Sequence, residues 1–248
     1  MKKIFLLCFT VFLPVAGMHA QSMSGYSVTG DFTYTSKYIF RGIENAGSSF
    51  QPSVEVAAGD FHAGLWTNQP VVRRQSNEID LYAGYKHRVN AALSVEAVTS
   101  YYWYPEASAS RGETKNSFEM GVGVTYSTPA GFSPSVYYYH DFRLESDTIQ
   151  AALGYSLPLE RLGASVDMSV FGGAIDAHDT APDATGPAMR DSYTYHGVDL
   201  TVPYRLNGAA TLSVGVHYAD ARNLGVIPGR LAQDGDYVWF TVGLSVGF

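Results

Sequence analysis

Side chains alternate in polarity at every second position over most of this chain, and a period of two restricts those stretches to β-strands. In residues 27–41 the even positions are Val28, Gly30, Phe32, Tyr34, Ser36, Tyr38 and Phe40. The odd ones are Ser27, Thr29, Asp31, Thr33, Thr35, Lys37, Ile39 and Arg41. Residues 236–248 repeat the pattern, with Val238, Phe240, Val242, Leu244, Val246 and Phe248 on one face. Ten more segments of this character lie between them, at 50–58, 61–67, 77–89, 91–104, 117–127, 132–142, 148–157, 164–173, 192–202 and 210–219. Each is bounded by turn residues. Such a set fits an all-β fold, a transmembrane antiparallel up-and-down β-barrel of about 12 strands, with apolar residues toward lipid and polar ones toward the lumen.

The connections support the same reading. Those after the second, fourth, sixth, eighth and tenth segments are short, at 59–60, 90, 128–131, 158–163 and 203–208. Most of the others are long, as at 105–116, 174–191 and 220–235. Short periplasmic turns alternate with long outer loops in bacterial barrels; only the short connection after residue 142 breaks the order. An even strand number places both ends of the barrel in the periplasm. Tyr and Trp favour the membrane interface. The run Tyr101-Tyr102-Trp103-Tyr104, with Tyr137 to Tyr139, Phe142, Tyr193, Tyr195, Tyr237 and Trp239, is expected to form an aromatic belt at the outer rim.

Residues 1–20 read as a secretory signal peptide, with Lys2 and Lys3, an apolar core at 4–17 and cleavage after Ala20. Residues 21–248 are then one outer-membrane barrel domain. Cys8 is the only cysteine and lies in the signal, preceded by Leu7 where a lipid-anchored protein carries a small residue. The chain therefore has no disulfide framework. Losing two lysines leaves fourteen bases against twenty-three acids, a net charge of −9, and no basic patch suited to nucleic acid. Mean hydropathy is near zero, which a barrel tolerates because its two faces average out.

Phe248, ending an alternating apolar strand, is the expected assembly signal, read by the barrel assembly machinery through strand addition. At the other end of the chain, TSKYIFRGI (35–43), FHAGLWTN (61–68) and EIDLYAGY (78–85) resemble the TorF family of proteobacterial outer-membrane porins. The order and spacing agree over about fifty residues; beyond that only the strand pattern agrees. Thr67-Asn68-Gln69 and the loop with Arg73-Arg74 depart from the family pattern. The resemblance implies a barrel in the outer membrane that passes small solutes or ions.

Alternation assigns nine acids to the lumen: Asp31, Glu55, Glu78, Asp80, Glu96, Glu119, Asp141, Asp167 and Asp199. The lumenal bases are Lys37, Arg41, Lys86 and Arg88. Arg41 is expected near the rim, either as a constriction charge or tying its loop to Glu44, Glu78 or Asp80, with Gly42 free to take a positive φ. Trp66, beside His62 and Gly64, is expected at the lumen or rim, packing more than stacking on sugar. The excess of acids suggests a narrow, weakly cation-selective passage.

Two other functions compete: a plugged barrel acting as scaffold or adhesin, and a barrel lipid hydrolase. The one candidate catalytic cluster is His140, Asp141 and Ser146, yet His140 falls on the lipid parity and Asp141 on the lumenal one. Asp176, His178, Asp179 and Asp183 lack a recognisable calcium-ligand spacing, so no metal or cofactor is expected. Arginines at 41, 73, 74, 111, 143, 190, 222 and 230 lie at or near outer loops and are candidates to grip lipopolysaccharide phosphates. Loop acids are as numerous, which fits ordinary solvated loops.

Overall fold

The computed structural model describes residues 25–72, 75–108, 110, 113–183, 185–186, 188, 190–223 and 235–248. The expected signal peptide, with Arg73, Arg74, Arg111 and Arg230, lies outside them. Twelve antiparallel strands close into a barrel in the order β1-β14-β13-β12-β11-β10-β9-β8-β7-β6-β5-β4. They are β1 (Tyr26–Thr35), β4 (Ser49–Ala58), β5 (Phe61–Pro70), β6 (Glu78–Arg88), β7 (Leu93–Trp103) and β8 (Asn116–Tyr126). The others are β9 (Phe132–Asp141), β10 (Ser146–Leu159), β11 (Ala164–Ala177), β12 (Asp191–Arg205), β13 (Ala210–Asn223) and β14 (Gly235–Gly247). Two short strands, β2 (Tyr38–Phe40) and β3 (Ile43–Ala46), form a separate hairpin within the β1–β4 connection.

The barrel closes where β1 meets β14, from Thr29 opposite Gly247 to Thr35 opposite Thr241. Phe248 continues that seam by exchanging backbone hydrogen bonds with Val28, at 3.2 and 2.8 Å. Its position satisfies an edge that would otherwise stay unpaired.

The two faces separate as the alternation requires. Phe32, Val122, Val136, Val170 and Leu244 stand exposed on the outer surface, Val122 by 57 %. A continuous apolar exterior of this kind belongs in hydrocarbon, where a closed barrel leaves no backbone group unpaired. Their neighbours Thr125 and Ser245 face inward and are half-buried.

The first segment departs from the expected pattern. β1 stops at Thr35, and residues 36–48 fold into the barrel instead of continuing the wall. Tyr38 and Phe40, assigned by parity to the lipid face, are each 3 % exposed inside the lumen. Parity survives a bend but no longer refers to the same surface. The aromatic belt is also only partly external. Tyr101, Trp103, Tyr138 and Phe142 point outward, whereas Tyr102, Tyr104, Tyr139, Tyr193 and Tyr195 are buried in the interior. Adjacent residues on a strand must take opposite faces, so a run such as Tyr101 to Tyr104 divides between lipid and lumen.

Candidate functional site in the lumen

The β2–β3 hairpin turns at Arg41-Gly42, with φ of 44° and 79°. Two central residues at positive φ match the twist of a two-residue hairpin, and glycine takes that region without cost. Gly42 also has no room for a side chain. A Cβ there would lie 2.9 Å from the Cβ atoms of both Ala221 and Tyr195.

The tip crosses the whole lumen. The Arg41 guanidinium donates through Nη1 to Glu119 Oε2 at 2.9 Å and through Nη2 to Glu119 Oε1 at 3.1 Å. Nη1 also donates to Thr148 Oγ1 at 3.2 Å. Thr148 is on β10, diametrically across the strand order from β4. The guanidinium lies 4.7 Å from the Phe40 ring centroid and 4.9 Å from that of Tyr139. Tyr102 adds a hydroxyl donated to Glu119 Oε1 at 3.1 Å. The fork-on-carboxylate geometry, sealed from water at both ends, is the strong form of such a pair.

Apolar packing holds both flanks. On one side Tyr38, Phe40, Ala46, Trp66, Tyr102, Tyr104, Ala107 and Leu144 form a cluster, with Tyr38 5.4 Å from Trp66 between ring centroids. On the other, Ile43 packs against Ile175, Ala177, Tyr193, Tyr195 and Ala221. The half of the lumen nearest the long loops is therefore filled. The half nearest the short turns is lined by part-exposed polar side chains and forms a vestibule.

The expected site residues fall into these two halves. Arg41, Trp66, Glu78, Asp80 and Glu119 belong to the filled half. Arg41 is tied to Glu119 and not to Glu44, Glu78 or Asp80, because the hairpin carries it past the near wall to the far one. Glu44 pairs instead with Lys37, at 3.0 Å. Glu78 accepts from the Tyr104 hydroxyl at 3.0 Å, and Asp80 Oδ1 has no hydrogen-bond partner. Trp66 packs against the hairpin, as expected. Asp31, Lys86 and Glu96 line the vestibule, and Arg88 is exposed at its rim.

Several lumenal groups were not singled out from the sequence, among them Thr148 and His217, and Tyr195 was expected at the outer rim. A signal existed: Gly64, Gly84, Gly123 and Gly173 share lumenal parity, and each receives a neighbouring ring, from Tyr82, His62, Tyr137 and Tyr195 respectively. A Cβ on Gly173 would stand 2.5 Å from Tyr195 Cζ. Glycine lets a ring lie flat on the inner wall.

His140 points away from the lumen, with Nδ1 2.8 Å from Asp147, while Asp141 is buried and accepts from Ser117 at 2.5 and 2.6 Å. His140 and Asp141 do not meet. Arg143 pairs with Asp183, and Arg222 with Asp220 at 2.8 Å. Among the described residues no group of three or more His, Cys, Asp or Glu side chains could hold a metal ion, and Asp176, His178, Asp179 and Asp183 are no exception.

A closed antiparallel barrel with an apolar exterior is the fold of outer-membrane β-barrels. It is similar to the KdgM porin in complex with disordered oligogalacturonate, with a TM-score of 0.54, 12 % identity, and 90 % of this chain and 99 % of that one covered. For the NanC porin the TM-score is 0.52 at 12 % identity, covering 89 % and 98 %. For the COG4313 outer membrane channel from Pseudomonas putida F1 it is 0.53 at 9 %, covering 90 % and 95 %. Residues 19–222 match the model of Gcw_chp, a bacterial protein family of unknown function, and the chain belongs to that family. No curated protein sequence matches it.

Proposed function

We propose that this chain is a porin-like channel of the outer membrane, exported through residues 1–20, narrowed by the β2–β3 hairpin and weakly selective for cations. The observation that carries the reading is what fills the lumen. Eight-stranded barrels are filled by their own wall side chains, whereas wider ones leave space. Here one loop hairpin takes up that space in one half only, and the other half stays wet and polar. The resemblance of 35–43, 61–68 and 78–85 to the TorF porins agrees with this, as do the names of the similar structures. Outer-membrane lipid, lipopolysaccharide at the long loops and the assembly machinery at Phe248 are the partners this placement implies.

The charge balance supports cation preference. Asp31, Glu55, Glu96, Asp167 and Asp199 line the vestibule, with Lys86 as the lysine among them, 3.6 Å from Glu96. Low-dielectric walls focus such a field on an entering ion, and salt screens it over about 8 Å at physiological strength. Under a potassium chloride gradient across a planar bilayer, the zero-current potential is expected to carry the sign of potassium permeating faster than chloride. A potential of the opposite sign would overturn the selectivity. The plugged-scaffold reading draws on one specific observation, the apolar packing on both flanks of the hairpin, and absence of conductance at any voltage would favour it.

A further inference from the structure

The vestibule pairs aromatic rings with carboxylates on opposite walls. The Tyr82 hydroxyl donates to Glu55 at 3.1 Å, and that of Tyr137 to Glu96 at 2.6 Å. Across the barrel, His217 Nδ1 lies 2.7 Å from Asp199 Oδ1 and Nε2 2.9 Å from Thr241 Oγ1, with the His217 ring stacked on Trp239 at 5.1 Å. β12, which carries Asp199, stands six strands around the ring from β6, which carries Tyr82 between Glu55 on β4 and Glu96 on β7. The rings of Tyr82 and Tyr137 lie against Gly64 and Gly123 on the inner wall.

A face of π-electrons beside a carboxylate suits an organic cation, whose charge is shared between the two and whose carbon skeleton packs on the ring. The alternatives fit less well. An inorganic metal ion needs several converging ligands, and no such group of three is present among the described residues. An acidic sugar would meet five carboxylates against Lys86 inside and Arg88 at the rim. A neutral sugar would use the rings but draw nothing from the net negative charge.

We propose that the vestibule binds small organic cations bearing ammonium or guanidinium groups. Glu55 and Glu96 on one wall and Asp199 on the other hold the charges, and the rings of Tyr82 and Tyr137 carry the carbon skeleton. A ligand with two cationic ends bridges the walls. The proposal rests on the channel reading only in that the solute reaches the vestibule through the mouth at the short-turn end.

The test is isothermal titration of the refolded chain in detergent micelles at fixed ionic strength, with spermidine and argininamide as probes and maltose and galacturonate as controls. Saturable binding of both cations and none of either sugar is expected. The double variant E96Q/D199N should weaken binding at least tenfold. Tyr137→Phe, which keeps the ring, should change it less than threefold. Gel mobility that shifts on heating confirms that each variant has folded. Equal binding of maltose or galacturonate, no binding of either cation, or unchanged affinity in the double variant would overturn the proposal. Conductance without cation binding would defeat this inference and leave the channel standing; cation binding without conductance would do the reverse.

Discussion

Replacing Arg41 by alanine is expected to convert a channel of small, steady current steps into one that flickers to a larger level. Arg41 and Glu119 are each almost fully buried, with side chains 4 % and 3 % exposed. Removing one partner of such a pair leaves an uncompensated buried charge, at a cost of about 3–5 kcal/mol. The cost falls on the seating of the hairpin, because the strands keep their backbone ladders. It corresponds to roughly two to four orders of magnitude in the equilibrium between seated and released hairpin. Burial of Tyr38, Phe40 and Ile43, about 1.5–3 kcal/mol per side chain, still draws the hairpin back. Release is therefore intermittent, and open dwell times in single-channel records should lengthen. Glu119→Gln acts in the same direction. Arg41→Lys should fall between, since an ammonium keeps the charge but not the two-pronged contact. Records indistinguishable from the parent for both Arg41→Ala and Glu119→Gln would show that this pair is not what seats the hairpin.

The second large effect concerns the outer face. Val122→Arg and Leu244→Arg place a charge where side chains are exposed on the apolar surface. Near the bilayer midplane the cost is on the order of 2–4 kcal/mol. Thr125→Arg and Ser245→Arg, one or three residues away and facing the wet vestibule, should cost much less. The measurement is the urea midpoint of refolding into lipid vesicles, read by the heat-dependent gel shift of the folded barrel. Both outer variants should lose stability relative to both inner ones. Equal losses in the two pairs would mean that the faces are assigned to the wrong sides.

Most of the wall was legible in the sequence because alternation and turn residues are local. The segments 117–127 and 236–248 differ from β8 and β14 by a single residue at each end. What parity cannot tell is whether a strand still belongs to the wall. Tyr38 and Phe40 keep the period of two because their hairpin is itself β-structure, so nothing local distinguishes a lumenal hairpin from a longer β1. The partner of Arg41 was equally hidden: Glu119 lies 78 residues away, and Glu44, Glu78 and Asp80 are all nearer in sequence. The buried tyrosines were misplaced for another reason. An amphipathic ring suits a membrane interface and a closed lumen alike, since both offer an apolar surface beside a polar partner, as Gln150 provides for the Tyr195 hydroxyl at 2.6 Å. Glycines of lumenal parity opposite aromatic residues were the readable sign.

The most direct measurement removes the obstruction. Thr35 and Ser49 stand opposite one another at the ends of β1 and β4, so residues 36–48 can be replaced by Asn-Gly, which favours a two-residue hairpin turn. Single-channel conductance of this variant in a planar bilayer is expected to exceed that of the parent chain severalfold and to stay steady at that level, without the flicker of Arg41→Ala, with cation preference kept because the vestibule acids remain. A folded variant with the parent's conductance, or with none, would contradict a channel narrowed by this hairpin.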